Sequence, residues 1–75
     1  MPKDYNDADV KFMQMMIPHH EKAVIMAHKV LSSGENAAVA TLAKSISSAQ
    51  IREIVIMERW LKERGIAVSA SMPGM

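Results

Sequence analysis

Seventy-five residues limit the chain to one small domain, and a domain of that size has difficulty burying enough apolar surface to hold itself together without a partner or a metal. Cysteine is absent, which excludes disulfides and thiolate metal sites and leaves methionine sulfur and histidine nitrogen as the soft ligands. Nine basic and eight acidic residues give a net charge of +1 spread along the chain. That balance excludes a basic stripe for nucleic acid, and no apolar run approaches the roughly 18 residues that span a bilayer.

From Asp7 to Leu31 the apolar residues Val10, Phe12, Met13, Met16, Ile17, Ala23, Val24, Ala27, Val30 and Leu31 recur at spacings of three and four, the period of an amphipathic helix. Asn6 supplies an N-cap, Asp7 and Asp9 an acidic first turn, and Ser32-Ser33-Gly34 a stop. Pro18 falls inside the pattern, and its missing N–H and its ring predict a kink at the level of Gln14. The apolar phase continues across Pro18, which argues for one kinked helix rather than two.

A second amphipathic run extends from about Ala37 to Lys62, with Val39, Leu42, Ala43, Ile46, Ala49, Ile54, Met57, Trp60 and Leu61 on one face. Asn36 is its cap, Gly65 ends it, and Lys62 and Arg64 suit the negative end of the helix dipole. The reading is therefore a single helical domain over 1–75, with helix 1 about 7–32, helix 2 about 36–64 and a flexible tail over 66–75. The short connection makes the pair an antiparallel hairpin. Both apolar arcs are broad, so dimerisation into a four-helix bundle is the economical way to cover them.

Eight methionines are more than ordinary packing requires. At about 100° per residue, Met13, Met16 and His20 share one side of helix 1, while Met15, His19 and Met26 form an adjacent stripe. His28 lies nearer the polar boundary. Gln50, Glu53 and Met57 interrupt the apolar face of helix 2, and buried polar groups need partners. With the connection centred near Gly34, residues 16–20 are expected opposite 48–53, where Gln50 or Glu53 would accept an imidazole N–H of His19 or His20. Such a partner fixes the tautomer of a metal-binding histidine.

Thioethers bind hard cations poorly and suit copper(I) or silver(I), with imidazole completing a site of low coordination number. Two readings of the residues stand side by side. One is soft-metal binding; the other is a helical oligomerisation module with a buried His/Glu/Gln network fixing packing and register. His/Met haem ligation is allowed by ligand type but has no pocket signal. A hard di-iron site lacks its carboxylates, since Glu53 is followed three residues later by Ile56, and His20-Glu21-Lys22-Ala23-Val24 breaks the zinc-protease pattern. No nucleophile with an adjacent base is evident, so the chain reads as a binding protein and not an enzyme.

The string from Asp9 to His20, with its Met15-Met16-Ile17-Pro18-His19-His20 core, and its continuation through Ala23-Val24-Ile25-Met26-Ala27 resemble the signature of the domain-of-unknown-function family numbered 305. So do Ile46, Gln50, Glu53-Ile54, Met57 and Trp60-Leu61 on helix 2, and the Met72-Pro73-Gly74-Met75 ending is similar to that family's Met-rich tails. The resemblance implies a ferritin-like helical fold, export to the periplasm or cell exterior and, as in some members, copper or silver binding. Carried onto matching positions, the implied ligands are Met13, Met16, His19, His20, Met26 and Met57, with Met15, His28, Met72 and Met75 as possible additions. Gln50 and Glu53 would stand behind them.

Overall fold

Helix 1 begins where the sequence gives it a cap. In the computed structural model, which describes residues 3–68, the Asn6 side chain accepts from the Asp9 N–H at 3.1 Å and the Asp9 carboxylate accepts from the Asn6 N–H at 2.9 Å. This reciprocal box satisfies two donors that a helix start otherwise leaves open. From there α1 runs over Asp7–Ser33 without interruption. Pro18 lies inside it on an exposed position, where water can serve the carbonyl that the proline leaves unbonded.

Gly34 ends α1, and a side chain there would begin 2.7 Å from the Val30 carbonyl oxygen. Asn36 then caps α2, accepting from the Val39 N–H at 3.0 Å, and α2 runs over Ala37–Glu63. Gly65 closes α2 with a φ of 68°, the left-handed region that favours glycine. The Ile66 N–H reaches back to the Leu61 carbonyl at 2.9 Å and the Gly65 N–H to that of Lys62 at 3.0 Å, a Schellman end that turns Ile66 onto the hairpin. The fold is all-helical, two helices packed as a hairpin, with no strand among the described residues. Residues 69–75 of the tail, with Met72 and Met75, lie outside the described residues.

Ile17, Met57 and Leu61 form the buried cluster, flanked by Val10, Met13, Met16, Ile54, Trp60, Ile66 and Val68. Nearer the connection the buried positions are small: Ala27, Ala43 and Ser47. The pairing register differs from the sequence expectation by about one turn. His20 meets Glu53, within the expected stretch, whereas Ile17 packs with Met57 and Leu61, so residues 16–20 lie opposite about 53–61.

Candidate functional site

Residues three and four apart on a helix stand above one another. Met13, Met16 and His20 accordingly share the side of α1 that turns toward α2, and α2 answers with Glu53 and, one turn later, Met57. Together with Phe12 and Ile56 these residues line an open cleft of about 260 Å³. Met57 is buried, while Met13 and Met16 are partly buried against the same apolar cluster. Three thioethers and one imidazole thus face a common space whose walls are otherwise apolar, apart from one carboxylate.

The imidazole is held from both nitrogens. His20 Nδ1 lies 2.9 Å from the Met16 carbonyl oxygen, and Nε2 lies 2.5 Å from Glu53 Oε1. Both partners are acceptors, and a single ring N–H serves one of them at a time. A bond from Nδ1–H to a backbone carbonyl is the device that orients a metal-binding histidine and leaves Nε2 as the ligand atom. The His20 side chain retains only 15% of its exposure and Glu53 retains 55%, so the imidazole is the more enclosed member of the pair. Among the described residues no three His, Cys, Asp or Glu side chains gather as a cation site.

The other sequence candidates lie elsewhere. His19, Met15 and Met26 are exposed, and His19 makes no side-chain hydrogen bond among the described residues. Met26 borders a second, apolar groove of about 300 Å³ with Ala23, Val30, Leu42 and Ile46 near the connection. His28 Nε2 lies 3.2 Å from the hydroxyl of the buried Ser47, a contact that ties the helices together away from the cleft. Of the two polar residues flagged on helix 2, Glu53 reaches His20, whereas Gln50 makes no side-chain hydrogen bond among the described residues.

A clasp between the segment before α1 and the end of α2 was not evident in the sequence. Arg64 donates from Nη2 to Asp4 at 2.8 Å and from Nη1 to the Trp60 carbonyl at 3.0 Å, and its guanidinium lies 4.2 Å from the centre of the Trp60 ring. Tyr5 meets Trp60 edge to face at 5.5 Å. The hydrogen bond from Arg64 holds the Asp4 carboxyl below its usual value, and the same bond raises Arg64. On the other side of the segment, Gln14 Nε2 donates to the Ala67 carbonyl at 2.8 Å, which ties the chain after α2 to α1.

Compared with known proteins, the chain finds no match among curated proteins and none among solved structures. It does match, over residues 9–75, the family described as a domain of unknown function (DUF305). That match takes in both helices, the cleft and the Met-containing end, and the chain therefore belongs to this family.

Proposed function

We propose that the cleft binds a soft monovalent ion, copper(I) or silver(I), through Met13, Met16, His20 and Met57, and that the protein buffers such ions or hands them on. The observation that carries this reading is the convergence of three thioethers and one imidazole from two helices on a single cleft. Met13 and Met57 are packed in place, so part of the ordering cost is met by folding. Glu53 is the gate on the imidazole: its bond to Nε2 must open before that atom can ligate, and a carboxylate beside the ion would offset its positive charge. Met26 and His19 stand outside the cleft and would serve as entry or exit donors.

Self-association belongs to the same proposal. Phe12, Leu42, Ile46 and Ile56 are exposed large apolar residues bordering the cleft and the groove, and two hairpins laid face to face would cover them as a four-helix bundle. A kink at Pro18 would adjust the stagger of α1 in that bundle. A periplasmic or secreted location suits a chain that uses thioethers where thiols oxidise. The non-metal reading draws on the His20–Glu53 bond, which such a bundle would bury as a polar pair fixing register.

An anaerobic copper(I) titration against a competing chelator separates the two. The metal reading expects a defined stoichiometry that falls in a Met16→Leu, Met57→Leu variant, where volume is kept and sulfur is lost. Failure of the wild type to compete with the chelator, together with loss of the oligomer in His20→Ala, would favour the polar-network reading.

A further inference from the structure

We infer that the open face of the hairpin, the one that carries the cleft and the groove, docks on an anionic lipid surface, with its apolar side chains among the lipids and its basic edges on the headgroups. The inference goes beyond ion binding and does not rest on it. Phe12, Met26, Val39, Leu42, Ile46 and Ile56 lie on this face, each between 40% and 63% exposed. They come from both helices, so the apolar strip is two helices wide, broader than a single partner helix of about 10–12 Å would cover.

The residues that border the strip identify its partner. At about 100° per residue, Lys11, Lys22 and Lys29 fall in one row along the outer edge of α1, opposite the buried Ile17 and Ala27. Arg52 and Arg59 hold the matching edge of α2, opposite the buried Ala43 and Leu61 and on either side of Ile56. All five are exposed, and none forms an ion pair among the described residues. The acidic side chains nearest the face are already engaged: Glu53 by His20, Asp9 in the helix cap, and Glu63 beside Arg64 at 3.9 Å. On the back of the hairpin Glu21 and Glu58 balance Lys44 and Lys62. The net charge of +1 therefore hides a sorting of charge by face.

An apolar strip between basic edges is the pattern of an element that lies in the plane of a membrane interface. The long lysine and arginine stems lie along apolar surface while their charged ends reach the headgroups. No helix among the described residues is long and apolar enough to cross a bilayer, so the contact proposed is with the surface alone. A second copy laid on the same face would set basic edge against basic edge, whichever edges met. The two occupants thus compete for one face, and an anionic surface complements the edges where a second copy repels them.

The test is flotation of the metal-free protein with vesicles of phosphatidylcholine, alone or mixed with an equal part of phosphatidylglycerol. The wild type is expected to float with the anionic vesicles and to ignore the neutral ones. Lys22→Gln combined with Lys29→Gln should weaken binding about thirtyfold, near fivefold for each charge. Lys44→Gln combined with Lys62→Gln makes the same charge change on the back face, beyond a Debye length of about 10 Å, and should alter binding about twofold or less. Leu42→Ser combined with Ile56→Ser should keep its helicity by circular dichroism, since both side chains are exposed, and bind about tenfold more weakly or worse. Equal effects of the two lysine pairs would overturn the docking face. Full binding by the Leu42→Ser, Ile56→Ser variant would reduce the contact to charge alone, as an acidic protein would make, and overturn the lipid assignment. A wild type that associates with itself and ignores anionic vesicles would give the face to a second copy. None of these results bears on ion binding in the cleft, which is read separately.

Discussion

The two halves of the hairpin are held by different kinds of contact. Toward the termini, Ile17, Met57 and Leu61 interlock, Ile66 and Val68 fold against them, and Arg64 joins Asp4 to Trp60. Toward the connection, the helices meet through Ala27, Ala43 and Ser47, while Met26, Leu42 and Ile46 stay in solvent around an open groove. Small residues at a crossing bring helices close but bury little apolar area, so the larger side chains that flank them remain to be covered. The first half supplies its own core; the second presents a surface. The Met/His cleft sits at the boundary between the two.

The largest effect should come from the packed half. Leu61→Ala removes a side chain with no exposure and should cost about 2–5 kcal/mol, measured by urea unfolding, a large part of the roughly 4–11 kcal/mol available to a chain of this length. In the other half, Ala43→Leu should be destabilising for the opposite reason, by about 1–3 kcal/mol, because a large residue at a close crossing pushes the helices apart. Equal tolerance of both changes would dissolve the distinction between the halves.

Leu42→Glu sharpens it further. The side chain is 59% exposed, so helicity and hairpin stability should move by no more than about 0.5 kcal/mol, while the proposed self-association, read by sedimentation, should be lost. The smallest effect concerns the clasp. Arg64 holds Asp4 below 3.8, so the contribution of that bond is present above 3.8 and disappears as pH falls through the lowered value. Trp60 fluorescence should report release of the Asp4–Tyr5 segment in that acid range, and Asp4→Asn should shift the signal toward the released state already at neutral pH.

Much of this architecture is written locally. Asn6 and Asn36 before apolar-periodic runs, and Gly65 after one, mark helix ends because capping depends on a few neighbouring residues. The shared stripe of Met13, Met16 and His20 follows from spacing alone. What spacing does not carry is how one helix lies on the other. The way α1 lies on α2 sets which polar residue meets His20, and it is Glu53 and not Gln50. The Asp4–Arg64 bond joins residues 60 apart and has no periodic trace in the sequence. The two Met/His stripes differ in exposure because Met13 and Met16 pack against the cluster of Ile17, Met57 and Leu61, while Met15 and Met26 do not.

The most direct test of the cleft follows the methionine methyl groups by ¹H–¹³C NMR as silver(I) is added to the protein. The account predicts that the methyls of Met13, Met16 and Met57 and the ring signals of His20 move together at the first equivalent, with the exposed Met15 and Met26 following later. Unmoved Met13, Met16 and Met57 methyls at excess silver would contradict it, and would leave the cleft as packing between two helices.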